Sequence, residues 1–175
     1  MGPSEAPKGS MAAKPSGRVI RLGVKPRTPG QRGLPKPAVP RVRVALAGVD
    51  GDYNVWRQEE RAGDPDYALL LLPVETIEAL NREGWPVRPG DLGENITSSG
   101  IPYDSFTPPA RLRVGGVVAE VSKACDPCDN LILLPYVGSA RGPEFLRTLI
   151  GRRGWYARVV EPGEIRTGDA IQLLP

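Results

Sequence analysis

Short strands separated by turns outnumber helices in this chain. The fold they predict is mainly β, a closed or nearly closed barrel of short strands with two or three peripheral helices. Six to eight segments show strand-length alternation or apolar clustering against two helical ones, with no regular βαβ rhythm. Glycine (21) and proline (20) approach a quarter of the 175 residues, a composition of many turns. Nothing repeats at a period of roughly 20–50 residues, which sets aside solenoids and propellers.

Taken in order, residues 1–16 are rich in Gly, Pro, Ser, Ala and Lys, without apolar periodicity. They read as a disordered leader, and the domain is expected over residues 17–175. Arg18 to Val24 is a mixed alternation and a first strand. A proline-rich connection runs from Pro26 to Pro40. Arg41-Val42-Arg43-Val44-Ala45-Leu46 alternates with period two, a half-buried strand. A turn cluster, Gly48 to Asp52, opens a polar loop that lasts to Asp66. Tyr67–Leu72 has the composition of a fully buried strand.

Pro73–Arg82 is the clearest helix. Pro73 suits the first helical position, Glu75 and Glu78 favour the N-terminal dipole, and Ile77 and Leu80 share a face. Gly84 is a stop signal. Pro86–Gly100 reads as loop. Leu112–Val114 and Val117–Val121 form a hairpin about Gly115-Gly116. Cys125–Asn130 is a polar turn, followed by an apolar Leu131–Leu134 and a short helix over Pro143–Ile150. Trp155–Val160 is a strand, Glu161 to Glu164 a turn, and Ala170–Leu174 a final strand.

Composition excludes whole classes of chemistry. The chain contains no histidine, which removes Ser-His-Asp triads, Cys-His pairs and imidazole metal sites. Two cysteines cannot staple a disulfide scaffold. No apolar run is long enough to span a bilayer. The net charge of +3 is unevenly spread: up to Arg43 there are 10 Lys/Arg against one acid, and from Val44 onward 13 against 19. Aromatics do not interleave with the basic arm, so nucleic acid is not an expected partner. The absence of a signal-like segment and the need of a working thiol for a reducing compartment lead to an expectation of cytoplasmic residence.

Four patterns could carry chemistry. The first is Cys125-Asp126-Pro127-Cys128. A structural zinc needs four N or S ligands, and a thioredoxin-like pair needs a helix after a parallel strand; neither context is present. Asp126 and Asp129 raise a thiol pKa here and Lys123 lowers it, so the direction stays open, and two small residues in a turn is the plainer reading. Second, Gly90 to Thr97 offers close backbone approach, the Asn95 amide and the Thr97 hydroxyl, suited to a polar or anionic ligand. An Asx-type turn explains it equally well. Third, Gly48 to Asp52 precedes Arg57, whose planar fork could bind a phosphate or carboxylate. Fourth, Gly154 to Val159 and Gly163 to Asp169 are strand–turn–strand architecture, with Arg152, Arg153 and Arg158 read as solvated surface.

In this order, these pieces resemble the MOSC domain, named for the C-terminal part of molybdenum cofactor sulfurases. The stretches that carry the likeness are "GLPKP" (Gly33 to Pro37), "GVDGD" (Gly48 to Asp52), "PGDLGENIT" (Pro89 to Thr97), "VSKACDPC" (Val121 to Cys128) and "GWYARVVEPGEIRTGDAI" (Gly154 to Ile171). The combination is specific, although no single piece is. The likeness implies a barrel with Cys128 as the working residue, whereas Cys125 stands where the pattern demands no thiol. It implies a sulfur carrier or molybdenum-cofactor-binding protein. In the first role, Cys128 accepts sulfane sulfur as a persulfide from a cysteine desulfurase, which holds the pyridoxal phosphate, and passes it to a metal–sulfur centre or molybdenum enzyme. In the second, Cys128 ligates the molybdenum of a bound molybdopterin, a soft thiolate on a soft centre.

Glu94, Asn95 and Thr97 would then hold the pterin, and Arg57 and Lys36 its phosphate. One alternative is a molybdenum-dependent reductase of N-hydroxylated compounds working with a redox partner. Another is a non-catalytic binding module using the basic N-terminal arm. The chain departs from the pattern at Tyr53 to Arg57, where many members carry a histidine.

Overall fold

A computed structural model describes residues 14–54 and 56–175, without the side chain of Trp56. Most of the expected leader, residues 1–13, lies outside the described residues. The strands are β1 (Ser16–Gly23), β2 (Ala38–Val39), β3 (Arg41–Ala45), β4 (Gly48–Val49), β5 (Leu69–Pro73), β6 (Ile96–Ser99), β7 (Arg111–Val114), β8 (Val117–Ala124), β9 (Trp155–Glu161), β10 (Gly163–Arg166) and β11 (Ala170–Leu173). Helix α1 (Val74–Arg82) follows β5, and α2 (Gly138–Thr148) precedes β9. Short helical turns fill Trp56–Glu60, Pro65–Tyr67, Tyr103–Phe106 and Asp129–Leu133.

Seven strands close a barrel in the order β1-β11-β7-β8-β9-β5-β6 and back to β1. Six of the seven pairings are antiparallel; β5 and β6 run parallel, joined through α1. A small sheet, β10-β3-β4, lies against the barrel, and its Val42, Val44 and Ile165 join the barrel's apolar interior. Closure leaves those strands without a free edge, which is how a short-stranded sheet avoids pairing with other chains.

Strand β5 shows why its sequence is continuously apolar. Leu69 and Leu71 point into the barrel, Leu72 into a second core beneath the helices, and Leu70 into a small cluster with Tyr67, Cys125 and Tyr156. A strand buried on both faces has no reason to alternate. The second core gathers Ile77 and Leu80 of α1 with Trp85, Leu131 and Phe145. Helix α1 ends in a Schellman motif: Gly84 N donates to Asn81 O at 3.0 Å and Trp85 N to Leu80 O at 3.0 Å, with Gly84 at φ +94°.

Several boundaries differ from the sequence reading. Pro73 ends β5 and sits at the N-cap of α1 rather than at its first helical residue. Helix α2 starts at Gly138, ahead of Pro143, which lies inside it. The Pro86–Gly100 loop contains a barrel strand, β6, whose sequence Ile-Thr-Ser-Ser hides its burial. Gly163–Arg166, half assigned to a turn, pairs along its length with β3.

Candidate functional site

The chain leaves β8 at Ala124 and crosses from the barrel wall to the Asp129–Leu133 turn through Cys125, Asp126, Pro127 and Cys128. Cys125 N donates to Gly154 O at 2.9 Å, which continues the β8–β9 pairing by one rung. Its side chain turns inward, 1% exposed, between Tyr67, Leu70 and Tyr156. Cys128 is half-buried on the wall of a cavity of about 480 Å³. Both thiols are free. A shallower groove of about 580 Å³ runs between α1 and residues 100–104 but holds neither cysteine.

The cavity wall is cationic. Arg32, Lys36, Arg61, Lys123 and Arg153 line it, against the carboxylates of Glu60, Asp126 and Asp129. Tyr67 and Tyr156 form an aromatic side, in edge-to-face contact at 4.8 Å. Lys123 Nζ stands 4.4 Å over the Tyr67 ring. Lys36 is 4% exposed and donates to Asp52, which also accepts from Lys25 N at 2.9 Å and Asn95 Nδ2 at 2.9 Å. Burial lowers the Lys36 pKa, and the Asp52 carboxylate opposes that shift.

Of the six residues that the resemblance assigns to a site, Cys128 and Lys36 lie on this wall; Glu94, Asn95, Thr97 and Arg57 do not. Asn95 is a brace. Its Oδ1 accepts from Leu70 N at 3.1 Å, and its Nδ2 donates to Gly23 O at 3.2 Å and to Asp52. Glu94 and Thr97 are fully buried: Glu94 Oε1 accepts from Gly90 N and from the Thr97 hydroxyl at 3.0 Å. Burial pushes the Glu94 carboxyl above its usual range, while the Gly90 amide pulls it down. Gly90 has φ +95°, and a Cβ there would lie 2.5 Å from Arg21 Nη1 and 2.6 Å from Lys36 O, so the loop folds this way only with glycine. Arg57 spends its guanidinium on its own loop, donating to Asp64 O at 3.0 Å and Gly63 O at 3.2 Å.

Arg153, read as solvated surface, is instead 6% exposed. It donates from Nη1 to Cys125 Sγ at 2.8 Å and Asp126 O at 2.8 Å, and from Nη2 to Leu92 O at 3.2 Å. Sequence reasoning missed it because its spacing resembles that of any turn arginine. The one available signal is the following Gly154, with φ +108° and a Cβ position only 2.4 Å from Leu71 O. That close approach draws the turn, and Arg153 with it, against β5.

The MOSC domain matches residues 58–172. This chain belongs to the MOSC domain family. The shared fold extends beyond that match. YuaD from Bacillus subtilis superposes with a TM-score of 0.71 at 19% identity, covering 89% of this chain and 94% of its own. YiiM from Geobacillus stearothermophilus gives 0.68 at 24%, covering 91% and 75%. YiiM from Escherichia coli gives 0.63 at 21%, covering 90% and 70%. No curated protein matches the chain. The family is associated with the molybdenum cofactor. The cavity's chemistry fits such a group, since its cations outnumber its acids and a thiol stands on its wall. Among the described residues no cluster of three or more His, Cys, Asp or Glu could hold a metal ion. No helix among the described residues is long and apolar enough to cross a membrane.

Proposed function

We propose that this MOSC protein carries sulfane sulfur as a persulfide on Cys128, received from a cysteine desulfurase and delivered to a metal–sulfur centre or molybdenum enzyme. The observation that supports this most is the contrast between the two thiols: Cys128 reaches the cavity, whereas Cys125 is sealed beneath it. In the loading step the Cys128 thiolate attacks the outer sulfur of the donor's persulfide. A new S–S bond forms, the donor's own S–S bond breaks, and the donor leaves as thiolate. Lys123 and Arg32 line the approach and attract the anionic sulfur species. Pyridoxal phosphate belongs to the donor. A thiol of this kind works in a reducing compartment, which supports cytoplasmic residence.

The cationic wall favours a second reading at the same atom: molybdopterin is held in the cavity with the Cys128 thiolate on molybdenum. Lys36, Arg32 and Lys123 would then face the phosphate, while Asn95, Glu94 and Thr97 brace the loop behind it. Bound there, the cofactor supplies two-electron chemistry, including reduction of N-hydroxylated compounds with a redox partner.

Mass spectrometry decides between them. Incubated with a cysteine desulfurase, cysteine and pyridoxal phosphate, the protein is expected to gain one sulfur on the peptide containing Cys128, and Cys128→Ser to gain none there. Absence from the wild-type protein of both that sulfur and any released sulfide sinks the carrier reading. Molybdenum co-purifying with the wild-type protein but not with Cys128→Ser selects the second.

A further inference from the structure

Arg153 is a buried guanidinium with an unusual set of partners. Among the described residues it bonds a thiol and two carbonyl oxygens but no carboxylate, and its Nε has no partner at all. A buried positive charge is costly unless something negative faces it. The groups placed to supply that charge are first the two thiols at the end of β8, Cys125 in direct contact and Cys128 three positions on, and after them Tyr156 and the Glu94 carboxyl. Burial works against the charged form of Arg153, and negative charge on Cys125 and then on Cys128 favours it.

Cys125 has the surroundings of a nucleophile held in reserve. It lies under the cavity floor, out of reach of external donors, which meet Cys128 first. Burial keeps its thiol protonated at rest, and Arg153 and the Tyr156 hydroxyl oppose that effect by favouring the thiolate. The chain makes no turn between Cys125 and Cys128, so the two sulfurs meet when the segment 125–128 bends.

We propose that Cys125 is the resolving thiol of a dithiol pair: it attacks persulfidated Cys128, expels the carried sulfur as hydrosulfide and closes a Cys125–Cys128 disulfide, with Arg153 as counter-ion to the attacking sulfur. This rests on the persulfide reading given above. The new bond joins Cys125 Sγ to Cys128 Sγ. The bond between Cys128 Sγ and the outer sulfur breaks, and its electron pair leaves with that sulfur. The proton lost by Cys125 is taken up by the hydrosulfide, so one thiol and one persulfide become one disulfide and hydrogen sulfide. The sulfane sulfur is reduced and the two cysteines are oxidised. A dithiol reductant then restores the pair for the next cycle.

The test uses the full chain, loaded by a cysteine desulfurase with cysteine and pyridoxal phosphate, then desalted into buffer without thiols. Wild-type protein is expected to release sulfide unaided and to yield a disulfide-linked peptide spanning both cysteines. Cys125→Ser and Cys125→Ala are expected to keep the added sulfur on Cys128 and to release sulfide only when an external thiol is supplied. Unaided release from both variants at the wild-type rate overturns the resolving role and leaves the carrier reading intact. Failure of Cys125→Ser to acquire sulfur on Cys128 defeats the carrier reading itself, and the resolving role with it.

Discussion

Asp52 shows how much one carboxylate can organise. It accepts from Lys36 Nζ, from Lys25 N and from Asn95 Nδ2, tying the Pro-rich connection, the end of β1 and the loop before β6 to one another. Asp52→Asn leaves Lys36 charged, buried and unpaired, and is expected to lose about 3–5 kcal/mol of stability. The pH dependence has a definite sign. Burial lowers the Lys36 pKa below that of an ordinary lysine, so the unfolded chain holds that proton more tightly than the native one. Stability attached to Lys36 therefore rises with pH until the unfolded lysine also deprotonates. Urea midpoints for Asp52→Asn against wild type should differ most near neutral pH and converge toward pH ~10; a deficit that does not shrink would show that Lys36 is not the group left stranded. Neither member of this pair can be recognised from neighbouring sequence, because 16 residues separate them.

At the scale of elements, the turn from α2 into β9 sets the floor of the cavity. Gly154 donates to the Tyr103 hydroxyl at 3.0 Å, and its carbonyl accepts from Cys125 N. A Cβ there would meet the Leu71 carbonyl at 2.4 Å, on a backbone of φ +108° that side chains seldom adopt. Gly154→Ala is expected to lower stability by at least about 1–3 kcal/mol from backbone strain alone. It should also displace Arg153, making Cys125 more accessible to an alkylating reagent; a variant as stable and as protected as wild type would contradict this placement. Strand β6 teaches the converse lesson. Its four residues look like loop because Thr97 and Ser98 are polar, yet both are fully buried. Their neighbours β1 and β5 make that legible, since β6 is paired on both sides.

For the whole molecule, stability depends on closing the ring. Strand β11 pairs with β1 on one side and β7 on the other, and Ile171 packs fully buried against the barrel interior. Ile171→Ala is expected to cost about 2–5 kcal/mol. Removing residues 170–175 opens the barrel between β1 and β7 and should yield a chain that no longer unfolds cooperatively. A sharp, wild-type-like urea transition in that truncated chain would mean that the barrel does not need this closure.

What the amino-acid sequence determined unaided was local or compositional. Glycine and proline punctuation marked the turns, period-two alternation marked β3, the Gly115-Gly116 hairpin marked β7 and β8, and the run of four leucines marked a strand covered on both faces. The spacing of Cys125 and Cys128 was equally plain. Only the tertiary structure decided which thiol meets a cavity, that Arg153 lines it, and that Asn95 and Thr97 turn inward as braces. The reason is physical. Turn chemistry and strand alternation depend on neighbours along the chain, whereas burial of a polar side chain depends on partners tens of residues away that closure of the barrel brings alongside.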